Sequence, residues 1–171
     1  MQKWQRAGMA AIVALAGVGA AFVHFTSADN AHEHGEHGGA ARAEIFAAGE
    51  PADPKKDFRV IKLVMTEGSG TMGFTPDTID VKTGEQIKFV IKNTGALDHE
   101  FKLDSSEQIA KHKIAMANNP EMIHDDPNGM RLEPSKSGEI LWKFSKAGTF
   151  EFACLIPGHY EAGMHGKVVV K

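Results

Sequence analysis

Thr149-Phe150-Glu151-Phe152-Ala153-Cys154-Leu155-Ile156-Pro157-Gly158-His159-Tyr160-Glu161-Ala162-Gly163-Met164 is the stretch from which the rest of the chain can be read. Its first six residues read as a strand, and side chains on a strand alternate between its two faces. Phe150, Phe152 and Cys154 therefore share a face, and two phenylalanines require that face to be a core. The thiol is thus delivered to the buried end of a sheet. Pro157 and Gly158 let the chain turn sharply before His159. Gly163 permits close backbone approach next to Met164, and Gly166 leads into a last strand, Lys167 to Val170.

Cys154 is the only cysteine of the 171 residues, so it forms no disulfide within its own chain. Upstream, His99 stands in Asn93-Thr94-Gly95-Ala96-Leu97-Asp98-His99-Glu100-Phe101 and shares a strand face with Phe101 and Leu103. Its imidazole is also directed inward. Two imidazoles, a thiolate and a thioether suit copper in two oxidation states: the sulfur donors favour Cu(I) and imidazole tolerates either. A trigonal plane of His99, His159 and Cys154 with a weak axial Met164 is the blue-copper arrangement. Zinc would accept Cys and two His but prefers a fourth strong ligand or water, and Met is a poor one. A nucleophilic Cys154 paired with His159 needs an activating environment and an orienting third group, and the sequence shows neither. Taken singly, Cys154 is a buried thiol, Met164 a core filler and His99 a satisfied core histidine; their joint spacing argues for ligation.

Outward from this stretch the texture is of short strands between Gly and Pro turns. Phe58–Met65, Thr78–Val81, Gln86–Lys92, His99–Leu103, Glu139–Phe144, Thr149–Cys154 and Lys167–Val170 are the candidates. Such spacing predicts an all-β sandwich, and residues 58–171 suffice for one domain. Ser105–Ala117 interrupts it with helical spacing of Ile109, Lys113 and Met116, and residues 118–130 read as loop. This insertion carries a secondary candidate set for Cu(I): His112, Met116, Met122, His124 and Met130. Packing of Met116 on the sandwich is the favoured account of that residue.

The pattern His…Cys-x4-His-x4-Met followed by Gly-Lys-Val-Val-Val resembles the cupredoxins, with a ligand loop like that of rusticyanin-type members. The resemblance covers about the whole of 58–171. It implies a Greek-key β-sandwich of about eight strands and one type 1 copper centre, with His99, Cys154 and His159 equatorial and Met164 axial. It also implies a redox partner docking on the apolar rim of Ile156 and Pro157 near His159. The chain departs from the family after its first ligand, where Glu100 stands in place of the Asn or Ser that supports the cysteine sulfur in many members.

Residues 1–28 have the layout of a secretory signal peptide: Lys3 and Arg6, an apolar run from Ala7 to Phe25, then Thr26-Ser27-Ala28. Residues 29–57 read as a flexible tail whose composition cannot offset the entropy of ordering. It carries His32, His34 and His37, a weak additional copper site. Removing residues 1–28 moves the formal charge from −3 to −5, which speaks against a nucleic-acid partner. The expected protein is exported to the periplasm, monomeric, free of the membrane after cleavage, and not an enzyme, since one domain lacks the interdomain copper sites of the multicopper oxidases. Tail and signal together resemble periplasmic cupredoxins of copper tolerance; a dedicated respiratory or photosynthetic electron carrier is the alternative.

Overall fold

A computed structural model describes residues 46–122 and 126–171. In chain order the elements are β1 (Glu50–Pro51), β2 (Arg59–Glu67), β3 (Met72–Thr75), β4 (Thr78–Val81), β5 (Gln86–Asn93), β6 (His99–Asp104), α1 (Ser106–Asn118), β7 (Gly129–Leu132), β8 (Ser137–Lys143), β9 (Gly148–Ala153) and β10 (His165–Val170). They form two five-stranded sheets, ordered β1-β8-β5-β2-β3 and β4-β10-β9-β6-β7. Both mix parallel and antiparallel pairs: β2 runs parallel to β5, and β10 parallel to β4.

Alternation builds the interior. Ile61, Leu63 and Met65 of β2, Ile87, Phe89 and Ile91 of β5, and Ile140 and Trp142 of β8 face Phe101, Leu103, Phe150, Phe152, Val168 and Val170 of the other sheet. Aromatic rings lock the middle: Phe101 stacks on Phe152 at 5.7 Å, and Phe74 meets Phe152 edge-on at 5.2 Å. Pairs of this kind add about 1 kcal/mol each beyond the area they bury.

The seven strands expected from alternation are present, their ends shifted by at most two residues. β3 escaped the sequence reading because Gly73 sits inside it, and glycine weakens a strand pattern. β7 escaped because its first residue follows the breaker run Asp126-Pro127-Asn128; residues 129–130 are strand and not loop. Residues 46–57 are built onto the sandwich, although the sequence reading assigned them to the flexible tail. β1 pairs with β8, Ala48 is fully buried, and Phe46 meets Trp142 edge-on at 5.4 Å. The Trp142 indole N–H donates to the Ala48 carbonyl at 3.2 Å. A buried indole needs such an acceptor, and this segment supplies it.

The predicted helix is α1. Ser105 caps it, its Oγ accepting from the Gln108 N–H at 3.3 Å. Ile109 and Met116 bury one stripe against Ala153 and Leu155, the outward-facing neighbours of Cys154. Covered by the core on one side and by α1 and the 126–128 segment on the other, β6 is buried at all six positions. Among the described residues no helix is long and apolar enough to cross a membrane. Residues 1–28 and the histidines at 32, 34, 37 and 124 lie outside the described residues.

Candidate metal centre

The ladder between β6 and β9 ends at the pair Lys102↔Ala153. Beyond that point the two strands continue side by side, but side chains take over as acceptors. The Glu100 N–H donates to Cys154 Sγ at 3.2 Å, and the Leu155 N–H donates to Glu100 Oε2 at 3.2 Å. The opening between the strands is where the ligands converge. His99 Nδ1 lies 3.2 Å from His159 Nδ1, and Cys154 Sγ lies 3.3 Å from the same His159 atom. Donor atoms of all three residues fall within 4.8 Å of one another.

The loop after Cys154 is tied by its own backbone. His159 N–H donates to the Ile156 carbonyl, Met164 N–H to the His159 carbonyl, and Cys154 N–H to the Met164 carbonyl, each at 3.0 Å. Gly158 and Gly163 adopt φ of +88° and +101°, the left-handed region that this tight course requires. These bonds fold Met164 back beneath Cys154. Its side chain is fully buried in the same cluster as the thiol. On the outside, Tyr160 donates to Glu151 at 2.7 Å, and the Lys113 ammonium of α1 stands 4.4 Å over the Tyr160 ring.

Electrostatics speak against a reactive thiol. Burial pushes the Cys154 thiol up to about 12, against the lowering influence of the Glu100 and Ile156 N–H groups. Nucleophilic cysteines have depressed pKa values, so the nucleophile reading fails on the environment of the sulfur. Burial also lowers both imidazoles; for His99 it outweighs the raising effect of Glu67, and for His159 the neighbouring His99 adds to it. The rings are therefore held neutral, the form in which nitrogen binds metal. Donor separations of 3.2–3.3 Å suit bonds of roughly 2 Å to one shared ion. Two neutral imidazoles, a thiol and a buried thioether fit copper.

Two supporting residues, Glu67 and Asn93, are not legible in the sequence, and a third, Glu100, is legible only as a departure from the family. Glu67, the last residue of β2, places Oε1 3.0 Å from His99 Nε2 and accepts the Leu97 N–H at 2.8 Å. Chiefly that Leu97 N–H, with His99, holds its carboxyl below the usual range. Asn93 is fully buried and pins the segment before His99: Nδ2 donates to the carbonyls of Leu97 (2.8 Å) and Leu132 (2.9 Å), and Oδ1 accepts from Gly95 (2.9 Å). Glu100, flagged as a departure, ties the two ligand strands through its carboxylate. The sulfur draws support from its main-chain amide, which any residue supplies. On the same face, Lys102 bonds Asp126 at 2.5 Å and Asn128 at 2.9 Å.

The secondary candidates are not gathered into one place. Met116 and Met122 pack in the cluster under α1, with Ile109 and Leu155. Met130 lies in β7 against the main core. His112 faces Glu100, Nε2 to Oε1 3.5 Å. Among the described residues, His99, Cys154 and His159 form the one group of His, Cys, Asp or Glu close enough to hold a metal ion.

Comparison with known proteins places the chain among copper-binding proteins. The model for copper-binding proteins of the plastocyanin/azurin family matches residues 61–171. The copper-resistant cuproprotein CopI of Rubrivivax gelatinosus is 46% identical over 160 residues, covering 92% of this chain and 95% of that protein. CopI of Pseudomonas aeruginosa is 37% identical over 161 residues, covering 77% of this chain and 87% of its own. Among solved structures, auracyanin B superposes with a TM-score of 0.59 at 20% identity, over 72% of this chain and 96% of that one. Reduced auracyanin from Roseiflexus castenholzii gives 0.57 at 24% identity, over 66% and 96%. These two likenesses establish the cupredoxin fold.

Proposed function

Since the chain belongs to the plastocyanin/azurin family of copper-binding proteins, we propose that it is an exported copper-tolerance protein whose single type 1 centre cycles between Cu(I) and Cu(II). The observation that carries this reading is the buried convergence of His99 Nδ1, His159 Nδ1 and Cys154 Sγ. The buried Met164 thioether would supply the fourth donor. Copper supplies one-electron chemistry when bound there. The chain's part is to hold one donor geometry for both oxidation states. The rigid strand end fixes His99, the backbone-tied loop fixes Cys154, His159 and Met164, and burial excludes water.

Likeness to the CopI proteins over nearly the whole chain supports tolerance as the role. His159 lies at the rim, 9% exposed beside the exposed Pro157, so it is the exit for an electron and the place where a redox partner docks. Turnover of an organic substrate is no part of this reading. The expected protein is periplasmic and monomeric. The test is growth of the source bacterium on excess copper after deletion, with complementation by wild type and by Cys154→Ser. Loss of tolerance restored only by wild type is the expected result. Intact tolerance with impaired respiration or photosynthesis would instead identify a dedicated electron carrier.

A further inference from the structure

Two imidazole nitrogens face each other at the centre of the site, His99 Nδ1 and His159 Nδ1, 3.2 Å apart. A hydrogen bond at that distance needs a proton on one of the two nitrogens and a lone pair on the other. The structure holds a device that selects between them. Glu67 Oε1 stands 3.0 Å from the far nitrogen of His99, Nε2. A carboxylate oxygen accepts, so Nε2 bears the hydrogen and Nδ1 presents its lone pair to the centre. His159 then carries its proton on Nδ1, directed at His99, until a metal replaces it.

The carboxylate is itself held in place. The same Oε1 accepts the Leu97 N–H at 2.8 Å. Gly95 keeps the passage open: a Cβ there would overlap Glu67 Oε1, fall 2.8 Å from its Cδ and reach 3.1 Å from His99 Nε2. Any side chain at position 95 displaces the carboxylate and crowds the ring. Asn93 Oδ1, by accepting the Gly95 N–H at 2.9 Å, sets the path of that backbone. Glu67 alone touches that ring nitrogen, and Leu97, Gly95 and Asn93 hold the carboxylate and its passage in place. The His99 side chain is wholly buried and that of Glu67 about one-fifth exposed, so the contact is shielded from competing water.

The geometry points to Glu67 as a positioning residue that sets the tautomer of His99 and, through the charge it places behind that ring, biases the centre toward Cu(II). This rests on the reading of His99 as a copper ligand. A carboxylate behind a metal-bound imidazole makes the ligand a stronger electron donor, which stabilises the more highly charged oxidation state. Glu67 touches no metal and acts only through the ring.

The test uses the full chain and three variants. Glu67→Gln retains an oxygen able to accept both N–H groups but removes the charge. Glu67→Ala removes both, and Gly95→Ala leaves Glu67 in the chain while closing its passage. Nitrogen-15 chemical shifts of the metal-free protein report the tautomer without copper. Wild type and Glu67→Gln should show His99 protonated at Nε2, whereas Glu67→Ala and Gly95→Ala should show exchange between tautomers. In the copper form, Glu67→Gln should keep the visible absorption and lower the Cu(II)-to-Cu(I) affinity ratio about tenfold, a rise of about 59 mV for one electron. A wild-type His99 protonated at Nδ1 overturns the proposal whether or not copper binds. So does a Glu67→Ala protein with unaltered tautomer, spectrum and potential. A normal tautomer in a protein that shows no thiolate-to-copper absorption overturns the bias toward Cu(II) together with the copper reading, leaving the tautomer contact itself supported.

Discussion

The four donors come from two regions held by different means. The loop from Cys154 to Met164 is fastened chiefly by its own backbone, with bonds spanning three to ten residues. The segment from Asn93 to Asp104 is fastened to distant parts of the chain through side chains: Glu67 on His99, Asn93 across to Leu132, Asn128 on the Leu103 carbonyl. A self-tied loop keeps its shape if its neighbours change. A side-chain-tied strand depends on every partner. The first region sets where the donors are, and the second sets how one of them is presented.

Removing chemistry from the self-tied region without breaking its ties is the most severe test. Cys154→Ser should abolish the visible thiolate-to-copper absorption completely, because no other sulfur anion exists in the chain, while circular dichroism still shows the sandwich. A coloured serine variant would mean that the loop is not the centre.

Removing the metal exposes the next largest effect. The buried thiol has a folded pKa near 12 against an unfolded value near 9. A raised folded pKa stabilises fully below the unfolded value, and that stabilisation drains as pH rises toward 12. The metal-free protein should therefore lose on the order of 3 kcal/mol between about pH 9 and pH 12. The copper form, whose sulfur is already a thiolate, should not. Urea unfolding of both forms across that range checks the difference, and equal losses would refute it.

Asn93→Ala strikes the side-chain-tied region. It leaves the carbonyls of Leu97 and Leu132 and the amide of Gly95 without their partner, at a cost of roughly 2–3 kcal/mol. Copper affinity should fall through His99 while the loop keeps its bonds, so the absorption band should persist at saturating copper. Loss of the band would show the two regions to be less independent than their fastening indicates. The smallest effect belongs to the helix cap. Ser105→Ala should cost about 1 kcal/mol in thermal or urea unfolding and leave the copper spectrum unchanged.

The same difference governs what could be read in the sequence. Cys154, His159 and Met164 were legible together because their geometry is local and their glycines mark its turns. His99 was legible through parity with Phe101 and Leu103, which only says that it points inward. Glu67 was not, since a glutamate at a strand end reads as a solvated charge and its partner lies 32 residues on. Glu100, Lys102 and Asp104 alternate with the inward side chains of β6; the sequence suggests a helix at Ser105–Ala117 but does not say that it lies over that face. Residues 46–57 were misread because composition averages hid two apolar side chains that cap one tryptophan. Alternation reports which way a side chain points, and long-range pairing decides what it meets.

One consequence of the strand order concerns the margins of the two sheets. The outermost strands are β1, β3, β4 and β7, of two, four, four and four residues. The nine-residue β2 and the eight-residue β5 lie inside. An incoming polypeptide that tried to add itself as a further strand would find at most four residues to grip, and at β1 one of the two is a proline with no N–H to offer. The sandwich is thereby protected from growing by recruitment of its own copies.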